Sequence, residues 1–188
     1  MAQHFLDFLP PWEQAVPVER GACNTNADRH LFAQGLLTPK TIGQQSGDEL
    51  AASFIANAAS TIRQCDLILA TNDKARICVI GSESGFSWSF DGAYAASKAA
   101  LHRYVETKRL PYPKRQQLIC VAPSIIGDSG MTRRREDMAN LRQREAEHPK
   151  GRFVTMSEVC RLIHHVLYVD DGYLTGAVIR MNGGSHCR

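Results

Sequence analysis

Tyr94 and Lys98 lie four residues apart in the run Gly92-Ala-Tyr-Ala-Ala-Ser-Lys-Ala-Ala-Leu101, and Ser82 stands 12 positions before Tyr94. On a helix, residues four apart share one face, so a phenol and an ammonium at this spacing can act on the same group. A cation beside a phenol favours the phenolate and lowers its pKa toward a range useful for acid–base work. Ser82 ends an apolar run with strand character, where its hydroxyl could hold and polarise a carbonyl or alcohol oxygen. The chemistry these three residues suggest is proton transfer at an oxygen.

Several elements must position them. Arg76 to Ser82 is rich in β-formers and predicts a central strand, and a loop from Glu83 to Gly92 leads into a helix from Ala93 to about Arg109, closed by Pro111 and Pro113. Upstream, Arg29 to Gly35 reads as a short buried strand. Ser46-Gly-Asp-Glu49 is a capping box, opening a helix from Asp48 to Ala70 with Leu50, Phe54, Ala58, Ile62, Cys65 and Leu69 on one face. Downstream, Gln117 to Pro123 is another apolar strand, followed by a polar, partly helical excursion to about Val154. Thr155-Met-Ser-Glu158 is a second capping box, and its helix shows Val159, Leu162, Ile163 and Val166 at helical spacing. Gly172 to Gly176 reads as a turn, and Ala177 to Asn182 as a last strand ended by Gly183-Gly184. Strands that are near-continuous apolar runs alternating with helices predict a parallel sheet covered on both faces, a Rossmann-like α/β fold in a single domain spanning 1–188.

Composition narrows the remaining choices. The chain has 188 residues, enough for one well-buried core and too few for two ordinary domains, and its net charge of +3 points to neither nucleic acid nor an acidic partner. Arg133-Arg134-Arg135 is followed at once by Glu136 and Asp137 and reads as a solvated helix start. The six cysteines (23, 65, 78, 120, 160 and 187) form no Cys-x-x-Cys pair, which argues for a reduced, cytoplasmic protein without a disulfide framework. His164 and His165 are adjacent and point apart, so no metal site is expected. Residues 1–28 are punctuated by Pro10, Pro11 and Pro17 and hold at most a short strand from His4 to Leu9; they lack the form of a signal peptide. No apolar stretch approaches membrane-spanning length.

Taken in order, Ile80-Gly-Ser82-Glu-Ser-Gly85, Tyr94-Ala-Ala-Ser-Lys98, Val121-Ala-Pro123 and Tyr173-Leu-Thr-Gly176 followed by Gly183-Gly184 resemble the C-terminal two thirds of the short-chain dehydrogenase/reductase family, over roughly residues 29–185. The resemblance implies nicotinamide-dependent hydride transfer between a carbonyl and an alcohol. It makes Ser82 the substrate-orienting serine (Ser84 if the strand ends later), Tyr94 the proton donor or acceptor, and Lys98 the residue that tunes Tyr94 and holds the nicotinamide ribose. It makes Asn57 the proton-relay asparagine, and places Gly35, Pro123 and Ile126 beside the cofactor, NAD or NADP. Residues 127–154 correspond to the family's substrate lid. The helices at 48–70 and 93–109 correspond to its dimer seam, implying a homodimer or homotetramer acting on a small carbonyl or alcohol compound.

The pattern also departs from the family. Asn-Ala-Gly appears as Ala33-Gln34-Gly35, and the glycine after the proline is Ser124. A cofactor-facing hydroxyl is either Ser129 or Thr132. Only 28 residues precede the first matched strand, whereas each βαβ unit takes roughly 30 residues, so the first two βα units and their glycine-rich phosphate turn have no place in this sequence. Gly43-Gln-Gln-Ser-Gly47 follows no strand and reads as loop. The missing phosphate cradle supports a second reading, a non-catalytic relative that serves as a binding or assembly protein. A third, a sugar-nucleotide epimerase or dehydratase, shares the Tyr-x-x-x-Lys chemistry but fits the 173–184 ending less well.

Overall fold

The computed structural model describes residues 24–111 and 115–185. The strand expected at 4–9, Pro113, Cys23 and Cys187 lie outside the described residues. Four strands, β1 (Arg29–Phe32), β2 (Arg76–Ile80), β3 (Gln117–Pro123) and β4 (Val178–Met181), form one parallel sheet in the order β1-β2-β3-β4. Each strand hands over to helices before the next begins, as parallel pairing requires.

The central strands alternate cleanly between two cores. Ile77 and Val79 of β2, with Leu118 and Cys120 of β3, face a cluster that includes Ala58, Cys65, Ile68, Leu101 and Val105. Cys78, Ile80, Ile119 and Val121 face the opposite cluster, with Val159, Cys160, Ile163 and Val166. Helices therefore cover both faces, as the apolar runs predicted. All seven residues of β3 are buried. In β1 only His30 is, and the strand has four residues where the sequence suggested seven. It pairs with β2 alone, so one edge and part of each face lack neighbours among the described residues.

The first helical segment opens where the capping box placed it. Ser46 Oγ accepts from the Glu49 amide at 3.2 Å, and the Glu49 carboxylate accepts from the Ser46 amide at 2.8 Å. It runs as α1 (Gly47–Phe54), passes through a π-turn at Ile55–Ala59 and continues as α2 (Ser60–Thr71). The wider turn corrects the expected stripe. Ala58, Cys65 and Leu69 are buried, but Phe54 is 41% exposed and Ser53, five residues before Ala58, takes the inward place. The π-turn's extra residue moves the buried track onto Ser53, Asn57, Thr61 and Gln64.

Next comes α3 (Gly92–Thr107), capped by Asp91, whose carboxylate accepts from the Tyr94 amide at 3.0 Å. The polar excursion contains α4 (Gly130–Arg133) and α5 (Met138–Ala146). Then α6 (Met156–His164) begins at the second capping box and ends in a π-turn at His165–Val169. Four cysteines, 65, 78, 120 and 160, are free and buried, and burial pushes the thiols of Cys65, Cys78 and Cys120 upward in pKa. Among the described residues no helix is long and apolar enough to cross a membrane, and no cluster of ligating side chains could hold a metal.

Candidate active site

The carboxyl ends of parallel strands are where this architecture leaves room for ligands, because the chain turns outward there and helix N-termini point inward. Gly35 follows β1, Ser82 follows β2, and Ile126 follows β3, so all three stand at that edge. The N-terminal turns of α3 bring Tyr94 and Lys98 to the same place.

Gly35 shows how closely the group converges. A Cβ added there would lie 3.8 Å from Asn57 Oδ1, 4.0 Å from Tyr94 Cε2 and 3.7 Å from Met131 Cε. Two further expected site residues thus meet at Gly35, together with a methionine that carried no sequence signal. Met131 arrives from α4 in the excursion, and only the fold of that segment brings it here.

Tyr94 is buried, and burial raises its pKa, with the Asp91 carboxylate adding to the rise; a hydrogen bond with the Ser82 side chain acts in the lowering direction. This corrects the sequence expectation that Lys98 would lower the phenol's pKa. Lys98 Nζ stands 5.8 Å from the Tyr94 ring centroid. It donates to the Ile80 carbonyl at 2.7 Å and to the Gln34 carbonyl at 3.3 Å. Lys98 is only 2% exposed, and burial brings its own pKa down to about 8. An ammonium has three donors, so two carbonyls leave one N–H available to a ligand.

Ser82 rather than Ser84 faces the phenol. Its hydroxyl oxygen caps the short 3-10 turn Glu83–Gly85 by accepting from the Ser84 amide at 3.2 Å, which leaves its proton free to donate elsewhere. Glu83, buried in that turn, forms a two-pronged ion pair with Arg180 of β4 at 2.8 and 2.7 Å. The turn that presents Ser82 is therefore tied to the far side of the sheet. This pair escaped the sequence reading, since its partners stand 97 residues apart.

Asn57 is completely buried in the π-turn. Its Oδ1 accepts from the Leu36 amide at 2.6 Å, and its Nδ2 donates to the Leu36 carbonyl at 2.9 Å and to Ser53 Oγ at 3.1 Å. The side chain clamps the segment after β1 in a two-way bond with one residue's backbone. Gln34 extends the tie, donating to Thr61 Oγ1 at 2.8 Å. Asp91 does the same from the other side, accepting from the Thr38 amide at 2.7 Å and from Gln45 Nε2 at 2.9 Å.

Pro123 is buried at the end of β3 beside Met181, and Ile126 bridges to Val154. Thr132 Oγ1 donates to the Ile126 carbonyl at 2.7 Å, and Ser129 Oγ accepts from the Thr132 amide at 3.1 Å. Both hydroxyl candidates are thus engaged within the excursion. Ser82, Tyr94, Lys98, Asn57 and Gly35 form one connected group, with Ile126 and Pro123 at the next strand end.

Comparison with known proteins identifies the family and the fold. The model of a family described as enoyl-(acyl carrier protein) reductase matches residues 30–186. An acetoacetyl-CoA reductase of Acinetobacter sp. is 31% identical over 113 residues, covering 58% of this chain and 44% of that protein. Among solved structures, a short-chain dehydrogenase/reductase from Burkholderia thailandensis superposes with a TM-score of 0.73 at 22% identity, covering 84% of this chain and 64% of that one. A variant of ElxO with NADPH bound gives a TM-score of 0.71 at 18% identity, over 82% of this chain and 66% of the other. The chain spans less than half the length of that curated relative and about two thirds of these structures. With the family match running from β1 through the last strand and the Ser82, Tyr94 and Lys98 pattern set on the sheet's carboxyl edge, the chain belongs to the short-chain dehydrogenase/reductase family.

Proposed function

We propose that this protein is a nicotinamide-dependent oxidoreductase that interconverts a carbonyl and an alcohol. The observation that carries the reading is that Asn57 and Tyr94 meet at Gly35, with Lys98 bonded to the neighbouring Gln34 carbonyl and Ser82 to Tyr94, all at the carboxyl edge of the sheet. The residues present fit the nicotinamide half of such a cofactor: Lys98 keeps a spare donor for a ribose hydroxyl, Gly35 leaves the approach open, and Pro123 and Ile126 border it.

The bound cofactor would supply or accept the hydride. Tyr94 holds the proton at Oη that the substrate oxygen needs, and its raised pKa keeps it protonated near neutrality, which favours the reducing direction. Ser82 donates its free hydroxyl proton toward the substrate oxygen, stabilising negative charge as it develops. Lys98 keeps a positive charge behind the phenol at pH values below about 8. Asn57 takes the family's relay role, its side chain fixed by bonds to Leu36 and Ser53. The 127–154 excursion acts as the substrate lid, with Met131 as its contact with the site.

The relative that acts on acetoacetyl-CoA favours a carbonyl compound carried on a thioester as the substrate class. NADPH is the first cofactor to test, since one structural neighbour holds it. The exposed Phe54, Ile55 and Leu67 on the outer side of α1 and α2 favour a homodimer or homotetramer, and the buried free thiols fit a cytoplasmic setting.

Titration with NADPH and NADH, read by cofactor fluorescence, tests the reading with Tyr94→Phe and Lys98→Ala alongside. Saturable binding that Lys98→Ala weakens, followed by turnover of acetoacetyl-CoA that Tyr94→Phe abolishes, is the expected result. No binding at millimolar cofactor would sink the self-sufficient enzyme and return the binding or assembly role to first place.

A further inference from the structure

One buried imidazole lies against the catalytic serine and has no part in the chemistry so far described. His102 follows Lys98 by one helical turn, so Tyr94, Lys98 and His102 form a single stripe down α3. It is 3% exposed. Its Nε2 accepts from the backbone amide of Ser82 at 3.2 Å. An acceptor nitrogen carries no proton, so the hydrogen sits on Nδ1, and Nδ1 has no hydrogen-bond partner among the described residues. A buried N–H without a partner is a standing cost to the fold, and a core chosen for stability alone would place an apolar side chain here.

The surroundings are shaped to the ring. A Cβ on Gly81 would collide with Nε2 of His102, and one on Gly85 would come within 2.5 Å of Cε1 and 2.7 Å of Nδ1. Both glycines flank Ser82, so the turn that presents the hydroxyl is moulded around the imidazole. Phe86 stacks on the ring with centroids 4.6 Å apart, and the Arg180 guanidinium lies 4.4 Å from the Phe86 centroid. Arg180 is in turn held by Glu83, the residue after Ser82. The stack closes a loop that begins and ends at the Ser82 turn.

We propose that His102 is a positioning residue of this site: through Nε2 it holds the Ser82 amide and so aims the Ser82 hydroxyl at Tyr94, and it does this only while the imidazole is neutral. The proposal rests on the oxidoreductase reading for its consequence in turnover, and on geometry alone for the clamp. The charged and titratable groups around the ring are Lys98 on its own helix, Glu83 on the turn, Arg180 on β4 and the Cys120 thiol on β3, which approaches the same face of Gly81. Burial, with Lys98 and Arg180 assisting, brings the imidazole pKa down to about 4, whereas Glu83 acts in the raising direction. The ring therefore stays an acceptor across the neutral range. Protonation would set N–H against N–H and release Ser82.

The test uses the whole chain labelled with nitrogen-15 and with carbon-13 at Tyr Cζ. In the wild type at pH 7, His102 should show an unprotonated Nε2, a protonated Nδ1 and a nitrogen–nitrogen coupling across the bond to the Ser82 amide. A protonated Nε2, or no coupling, overturns the proposal whether or not any variant folds. In His102→Leu the Tyr94 Cζ resonance should move to its position in Ser82→Ala, whereas His102→Gln, which puts a carbonyl oxygen near the lost nitrogen, should keep it near wild type. A folded His102→Leu with Tyr94 unchanged also overturns it. In turnover, His102→Leu should lower kcat by about 100-fold with the KM for NADPH unchanged, as expected for a misplaced group. A wild type that shows the coupling but turns nothing over would count against the oxidoreductase reading and leave the clamp standing.

Discussion

The two inner strands and the outer strand β1 belong to one parallel sheet, yet they end in different environments. β3 is buried at every position and β2 at all but Arg76, whereas β1 buries only His30. Leu31 and Phe32 have the side chains of core residues but are only partly buried. The difference lies in their neighbours: β2 and β3 are paired on both sides and β1 on one. In the candidate site, Tyr94 and Lys98 on α3 form an enclosed half with the partly buried Ser82 at its edge, and on the β1 side the buried Asn57 and Asp91, with Gln34, hold the loop after Phe32 in place. Directed polar bonds hold both sides of the site: Lys98 on two carbonyls and Glu83 on Arg180 beside β2, Asn57 and Asp91 on the segment after β1.

The largest effect that would sharpen this contrast is catalytic. Tyr94→Phe removes the hydroxyl, with its proton and its bond to Ser82, while keeping the ring, and should cut kcat for carbonyl reduction by roughly 100- to 10,000-fold, with circular dichroism unchanged. A fall of less than tenfold would place the proton source elsewhere. Next comes packing. Ile119→Ala in β3 should cost about 2–5 kcal/mol in urea unfolding, and Phe32→Ala in β1 clearly less, because a half-exposed ring leaves no closed cavity. Equal losses would mean that something covers β1 in solution.

Acid should act on the enclosed half as well. His102 has a folded pKa of about 4 against 6.5 for an ordinary histidine, so the unfolded chain binds the extra proton first. Stability from this group is fully present above pH 6.5 and is lost as pH falls toward 4, roughly 3 kcal/mol in all. Denaturant midpoints measured from pH 7 to 4.5 should fall more steeply in wild type than in His102→Leu, and parallel curves would contradict the assignment. The smallest effect expected is at the helix starts. Thr155→Ala and Ser46→Ala should each cost about 1 kcal/mol, and both should act on stability without changing the Tyr94 environment.

Much of this was readable in advance because the signals are local. Both capping boxes formed as their residue types required, and β3 occupies the span its apolar run marked. The α3 stripe placed Tyr94 and Lys98 together because helical geometry depends only on spacing. Three features were not readable. The π-turn at Ile55–Ala59 displaced Phe54 to the surface, and no residue type announces such a turn. The Tyr94 pKa moved opposite to expectation, because Lys98 spends two of its donors on carbonyls and burial outweighs its influence. Met131, Glu83–Arg180 and His102 became part of the site only when distant segments met.

By itself the sequence determined the strand and helix pattern, the parallel sheet and the Ser82, Tyr94 and Lys98 set, since periodicity and spacing act within a few residues. The tertiary structure decided which groups are desolvated, which carbonyls hold Lys98, and which residues clamp Ser82 and Leu36. Those depend on contacts across 18 to 97 positions of chain, and pKa values and aim are properties of such contacts rather than of residue types.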